Sequence, residues 1–403
     1  MRRFDVIVLG LGAVGSAATY HLAKLGHAVL GLDQYFPPHT KGSTHGESRI
    51  TRLAIGEGSE YTPLAVRSHQ LWRELERETG GRLLFPCGGL IISNHKSKPV
   101  SHGVEDFFCR TLAAAREYGI EHEVLAARDI RGRFSQFNVE DHEFGYFEPT
   151  AGYLLVEACV AAHLEVAKEK YGADLRMNEK VRSLVPSDSR VTLTTEGGRS
   201  YEADRLLIAA GAWLPGLIGE PYRKLFTVTR QVQHWFDIRS HAPSFAPGTC
   251  PVFIWEQPGK DQPIYGFPAV SGPAAGIKIA TEAKDPVDPD AVDRTERPDQ
   301  IRKMYNSYVK SHFPHLGPRS IRTEVCLYTE VAGGRFVIDR HPESSRITFA
   351  SACSGHGFKH SAALGEALAQ MLTTGKNDLK PFTVAQLLAR NARSADPLSL
   401  SPS

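Results

Sequence analysis

The chain has 403 residues, 41% of them hydrophobic and 23% charged, which is enough for two domains around a large core and ordinary for a soluble globular protein. Its 47 Lys and Arg nearly balance 45 Asp and Glu, leaving a net charge of +2, so neither a nucleic-acid nor a membrane partner is expected. Six scattered cysteines without a C-x-x-C pair argue against a disulfide framework and against a zinc or other metal site, and suit free thiols in a reducing cytoplasm.

The first predicted element is a buried strand over residues 4–9 (FDVIVL). The preceding arginine pair superficially resembles a secretion signal, but Asp5 and the glycines that follow interrupt the apolar run. No stretch of 18 apolar residues exists, so no transmembrane helix is expected. Gly10-Leu11-Gly12-Ala13-Val14-Gly15 comes next, then a helix through SAATYHLAKL ended by Gly26, and a second strand, HAVLGL, leading to Asp33. Gly10 permits the tight turn, Gly12 lets backbone approach a pyrophosphate, and Gly15 lets helix and strand pack closely. The helix N-terminus offers free N–H groups to phosphates, and Asp33 is placed to accept hydrogen bonds from a ribose. The motif in this strand–turn–helix–strand context predicts a bound dinucleotide without saying which one.

Beyond Asp33 lies a polar, turn-rich segment dense in Ser43, His45, Arg49 and Arg52. Residues 62–79 read as an amphipathic helix. Residues 80–147 read as a mixed insertion with a strand (GGLIIS) and a helix (VEDFFCRTLAAAREYG), and residues 146–154 as a loop before another helix. Residues 191–195 and 205–210 have strand character, the second running into Gly211-Ala212-Trp213, a turn suited to close cofactor approach. Residues 221–325 read as Pro-rich and irregular, with strand-like pieces at Pro251–Trp255 and AGIKIAT. RFVID and RITFASA then read as strands. Ser354-Gly355-His356-Gly357 follows, a turn that exposes backbone N–H groups where an electron-rich ring edge would be stabilised, and it opens a helix. A chain that opens and closes on such turns implies an α/β fold, α+β overall: a Rossmann-like dinucleotide domain (residues 1–85, 146–220 and 323–390) with a discontinuous mixed-sheet substrate domain (86–145 and 221–322). Residues 391–403 read as a flexible tail.

These motifs resemble the monomeric sarcosine oxidase and N-methyltryptophan oxidase family of FAD-dependent amine oxidases, within the D-amino-acid-oxidase-like group. The resemblance spans essentially the whole chain. Its landmarks, in family order, are GLGAVGSAATYHLAKLG, PPHTKGSTHGESRITR, FEPTAGYL, AAGAW, IYGFP, GIKIA, CLYT and CSGHGFKHS. It implies FAD held by Gly10, Gly12, Ala13, Val14, Gly15, Asp33, Ser43, Val181, Gly211, Trp213, Gly355, Gly357, Phe358 and Lys359. It also implies a thioether from Cys326 to the flavin 8α carbon, whereas the residue by itself reads rather as a small buried hydrophobe. Cys353 is expected to pack.

The resemblance further implies that Arg52 and Lys359 anchor the substrate carboxylate; on residue type alone each is an ordinary surface cation. Arg49 and His45 match positions beside the flavin ring, with His45 equally a structural hydrogen-bond partner. Lys278 matches the family's oxygen-activating lysine, a preplaced cation for the negative charge that forms as O2 becomes peroxide. Tyr265 and Tyr328 match pocket-lining positions or are core aromatics. One departure is Glu282, where the family's sarcosine and N-methyltryptophan oxidases carry histidine. A carboxylate there favours a cationic or polar substrate extension and puts sarcosine itself in question; the equal alternative is a Glu282 that sits outside the pocket. The expected activity is oxidation of the C–N bond of an N-methyl or other secondary amino acid to an imine, with hydride-equivalent transfer to the flavin and O2 reduced to H2O2, by a monomer whose partners are small molecules. The alternatives are an oxidase of a cyclic imino or fructosyl amino acid, an FAD dehydrogenase using another acceptor, and a non-catalytic nucleotide-binding protein.

Overall fold

The computed structural model describes residues 3–94, 105–257, 259–260 and 262–395. The run Arg3–Leu9 is buried along most of its length and takes a central place in an eight-stranded mixed sheet whose middle strands are parallel. It pairs with Val29–Leu32 on one side, Val6 opposite Val29, and with Ser200–Ile208 on the other, Leu9 opposite Ile208. Strand Ser344–Ser351 extends the sheet in parallel beyond Ser200–Ile208. Helices Ala13–Lys24, Val156–Glu169 and Ser361–Thr374 bury their small and aliphatic residues together against this sheet. The approach of the first and third of these is close enough that a Cβ on Gly365 would lie 2.5 Å from the Ala17 Cβ.

A second, mixed sheet of eight strands runs in the order Leu316–Val331, Phe226–Ile238, Ile277–Thr281, Ile264–Gly266, Val252–Trp255, Gly89–Asn94, Glu143–Glu148 and Glu123–Ala126. The segment expected to be irregular, residues 221–325, therefore holds one of the two longest strands, Phe226–Ile238, and much of the other, Leu316–Val331. The reason lies in composition. FTVTRQVQHWFDI does place apolar residues at alternate positions, Phe226, Val228, Val232, Phe236 and Ile238, but Arg230 and His234 interrupt the row and the opposite face buries the polar Thr229, Gln231 and Gln233.

The boundary expected at 322/323 falls inside Leu316–Val331, which lies wholly in the second sheet. The boundary at 145/146 likewise falls inside Glu143–Glu148. The loop expected at 146–154 is the end of that strand, a turn, and a new strand, Gly152–Leu155. Gly152–Leu155 is the middle strand of a small three-stranded sheet with Ser48–Thr51 and Leu84–Pro86. Residues 391–395 complete a helix, Val384–Ala395, and the rest of the expected tail lies outside the described residues. No helix among the described residues is long and apolar enough to cross a membrane.

The contact at Gly365 yields a paired test. Gly365→Val should cost about 1–3 kcal/mol in urea unfolding, because its branches meet the backbone of the facing helix. Gly132→Ala, in an open stretch of helix Ala127–Arg133, should instead gain up to about 1 kcal/mol. Equal stability of the two variants would remove the close helix contact as a constraint.

Candidate active site

A cavity of about 360 Å³ begins at the glycine turn after the first strand. Gly10 has φ +91°, and a Cβ there would lie 2.6 Å from the Ala209 carbonyl oxygen. A Cβ on Gly15 would fall 1.7 Å from the Gly10 oxygen, so this glycine serves helix–strand packing and lies outside the cavity wall. The helix that follows has no side-chain cap at Gly12, which leaves its first-turn N–H groups facing the cavity for phosphates. Asp33 is fixed by the Leu11 and Tyr35 N–H groups, each donating at 2.8 Å to a different carboxylate oxygen, and it too lines the cavity. Ala13, Val14, Ser43, Val181, Gly211 and Trp213 line the same space, as do Gly355, Gly357, Phe358 and Lys359 at its inner end. At Gly357 a Cβ would overlap the Ala352 oxygen at 1.5 Å. A glycine turn, uncapped helix N–H groups, an anchored carboxylate and a glycine-built inner wall fit a dinucleotide cofactor such as FAD.

The inner part of the site is organised by strand register. Trp235 stands opposite Lys278, and Gln233 opposite both Ala280 and Glu324. Gln231 stands opposite Cys326, Thr229 opposite Tyr328, and Tyr265 opposite Ala280. Paired residues share a face, and residues two apart along a strand share it too. Lys278, Cys326, Tyr328 and Tyr265 are thus placed on one side of one sheet. Glu282, two residues beyond Ala280, continues the same row.

On this face Tyr265 and Tyr328 line the cavity with their hydroxyls 3.3 Å apart, and burial pushes the Tyr328 hydroxyl well above its ordinary range. Lys278 is fully buried behind the wall, its Nζ donating at 2.7 Å to the carbonyls of both Gly46 and Ser48, and 4.0 Å from the centre of the Phe267 ring. Burial, with Arg49 adding to it, pushes this amine well below its usual value. Arg49, on strand Ser48–Thr51, lines the cavity and donates to the Ser43 and Ser48 carbonyls at 2.7 and 2.9 Å.

His45 lies behind the wall, its Nδ1 3.0 Å from Glu324, an arrangement that matches the structural alternative for this residue. Cys326 is also buried off the cavity surface, with Gln233 Nε2 donating to Sγ at 3.6 Å; burial raises the thiol and Arg49 opposes that rise. Cys353, expected to pack, is instead part of the cavity wall, its Sγ 3.7 Å from Ser43 Oγ.

Arg52 and Lys359 come together on a residue that sequence reasoning passed over, Glu57. Arg52 Nη2 donates to Glu57 Oε2 at 2.6 Å, and Lys359 Nζ donates to Oε1 at 3.4 Å and to the His356 carbonyl at 2.9 Å. Arg52 also bonds the Ala54 carbonyl. All three charged groups are nearly inaccessible and line the cavity. Burial lowers Lys359 to about 8, with Glu57 pulling the other way. Glu148 holds the turn that carries Arg52, accepting from the Leu53 N–H at 2.6 Å and the Ala54 N–H at 3.1 Å. A lone acid between glycines in AIGEG was the available signal for Glu57.

The family of FAD-dependent oxidoreductases matches residues 5–371 of this chain. Monomeric sarcosine oxidase of Streptomyces avermitilis is 37% identical over 377 residues, covering 92% of this chain and 94% of that protein. N-methyl-L-tryptophan oxidase of Yersinia pestis is 32% identical over 396 residues, covering 95% and 99%. Among solved structures, NikD, an amino acid oxidase of nikkomycin biosynthesis, superposes with a TM-score of 0.79 at 24% identity, covering 96% of this chain and 97% of that one, a likeness of fold. With its dinucleotide turn, its glycine-walled cavity and homologues aligned over nearly their full length, the chain belongs to the FAD-dependent oxidoreductase family.

Proposed function

We propose that this protein is an FAD-dependent amine oxidase that converts the C–N bond of an N-methyl or other secondary amino acid to an imine, with O2 as acceptor. The observation that supports this most is the single sheet face carrying Lys278, Tyr265, Tyr328 and Cys326, set in one site with Arg49, Arg52 and Lys359 and continuous with the dinucleotide cradle. The homologous sarcosine and N-methyltryptophan oxidases agree with it. FAD, when bound, accepts two electrons from the amine and passes them to O2, giving H2O2. The amine loses two electrons and two protons to become the imine. Water hydrolyses it, and for an N-methyl group the products are formaldehyde and the primary amine.

The protein's own groups divide the remaining work. Arg52 and Lys359 hold the substrate carboxylate; two cations around Glu57 leave one positive charge for it to neutralise. Tyr265 and Tyr328 wall the pocket, and Arg49 supplies fixed positive charge beside the ring site. Lys278 Nζ, held by two carbonyls, keeps or takes up a proton as negative charge develops on oxygen. Cys326 is the covalent tether in this reading: burial holds its thiol above the ordinary range, Arg49 opposes that rise, and the Gln233 amide donates to its sulfur. The protein acts as a monomer in the cytoplasm.

Three measurements test the reading. Acid precipitation should leave the yellow colour in the pellet for the wild type and release FAD to the supernatant for Cys326→Ala; release from both would remove the tether. In stopped-flow, Lys278→Met should slow flavin reoxidation by O2 by about 100-fold while changing its reduction by substrate far less. Equal slowing of both half-reactions would remove the assigned role. Finally, Lys359 is cationic below about 8 and loses its charge above it, so affinity for a simple carboxylate such as hexanoate, read from flavin absorbance, should fall as pH rises through that value. Lys359→Arg, which keeps its charge, should flatten the profile. A wild-type profile that is already flat would take Lys359 out of the carboxylate site.

A further inference from the structure

Both carbonyls that hold the Lys278 ammonium belong to one turn, and that turn has an unusual centre. Ser48 N–H donates back to the Gly46 carbonyl at 2.8 Å, closing three residues around Glu47, whose φ is +72°. Gly46, with φ +92°, must be glycine, since a Cβ there would lie 2.4 Å from Gln233 Oε1. Glu47 instead carries a side chain in a left-handed conformation that glycine would adopt without strain. A residue kept in such a conformation is held there by what surrounds its side chain. Glu47 Oε2 accepts from the Trp235 indole N–H at 3.1 Å, and Oε1 accepts from the Ser271 hydroxyl. Trp235 is the residue that stands opposite Lys278, with its ring centre 5.4 Å from Nζ. The backbone is fixed as well. Glu157, in the first turn of helix Val156–Glu169, accepts from the Gly46 and Glu47 N–H groups at 2.7 and 3.2 Å.

We propose that Glu47 is a positioning residue for the reaction with O2: its carboxylate clamps the turn whose carbonyls hold Lys278, and its negative charge keeps that lysine protonated. This rests on the amine-oxidase reading above and adds a residue to it. The charge matters because the turn crowds cations. The Ser48 carbonyl accepts from Arg49 Nη1 at 2.9 Å as well as from Lys278 Nζ at 2.7 Å, so two like charges share one oxygen. Burial first, then Arg49, disfavour the proton on Lys278, whereas Glu47 and Glu157 favour it, as does Cys326 when ionised. Arg322 packs on the Trp235 ring, 4.4 Å from its centre, and is paired with Glu324 at 2.8 Å. A protonated Lys278 stabilises the anion formed as the first electron reaches O2, and a neutral amine does not. Glu47 itself lies outside the cavity wall and acts through the lysine.

Stopped-flow on the FAD-loaded protein gives the first test. Glu47→Gln keeps the shape and an acceptor for Trp235 but loses the charge. It should lower, by about one unit, the pH at which flavin reoxidation by O2 falls to half its plateau, which is about tenfold slower reoxidation above that pH. Reduction by substrate should change far less. A purely structural role would slow both half-reactions and leave the pH profile in place. Urea unfolding of the same flavin-loaded protein at neutral pH gives a readout without turnover. Glu47→Gln should lower the midpoint in the wild type and lower it much less in Lys278→Met, because the two residues are coupled. Coincident reoxidation profiles for wild type and Glu47→Gln, or equal midpoint shifts in the two backgrounds, overturn this inference; the amine-oxidase reading then stands on the selective slowing in Lys278→Met. A wild type whose reduced flavin does not react with O2 overturns both. Should Glu47→Gln fail to fold, Trp235→Phe, which withdraws the indole N–H from the carboxylate, decides instead: selective slowing of reoxidation supports the inference, and equal slowing of both half-reactions overturns it.

Discussion

The site depends on the pairing register of strand Phe226–Ile238 with its two neighbours. Side chains along a strand alternate between faces, so a slip of one residue would send every paired group to the opposite side of the sheet. With Trp235 opposite Lys278 and Gln231 opposite Cys326, a cation from one strand and a thiol from another face the same space. The two long strands pair over almost their full length, with irregularities confined to the end near Phe236 and Ile238. The part that bears the chemistry is the regular part. Gly46 and Ser48 then close over Lys278 from the loop and small sheet above, so its ammonium hydrogen bonds go to backbone carbonyls.

Buried charge is the second organising feature. Arg52, Glu57 and Lys359 are almost wholly withdrawn from water, and a cation so placed is tolerable only with partners. Glu57 supplies a shared one. Glu148 buttresses the arrangement without entering it, by capping the N–H groups of Leu53 and Ala54. The result is a compact cluster of two cations around one buried carboxylate in the cavity wall, while Glu282, elsewhere in that wall, lies 3.5 Å from Lys284, which also pairs with Glu330.

The polar content of the second sheet follows from the same function. Thr229, Gln231 and Gln233 are buried in the middle of a strand because they support groups on the site face: Gln233 donates to the Cys326 sulfur, Gln231 brackets the chain after Glu282 through Ala283, and Thr229 holds Glu330. The face of this strand that is polar in sequence is therefore as deeply buried as its apolar one, which alternation alone does not reveal.

Local signals were enough for much of the protein. The glycine turn at Gly10, the helices at Thr62–Thr79 and Ser361–Thr374, and the strands at Arg3–Leu9 and Val29–Leu32 stand where their sequences place them, because short-range sterics and periodicity specify each one. Motif resemblance named the site residues one by one. Tertiary structure alone decided which of these touch the cavity and which stand behind it: Arg49, Arg52, Tyr265, Glu282, Tyr328 and Lys359 line it, while His45, Lys278 and Cys326 lie beneath the surface. It alone brought Glu57 to Arg52 and Lys359, and put Cys353 on the wall. The physical reason is that those placements arise from pairings between strands about a hundred residues or more apart and from side chains meeting across two sheets. No local propensity encodes such contacts; they exist only once the register of the long strands is set.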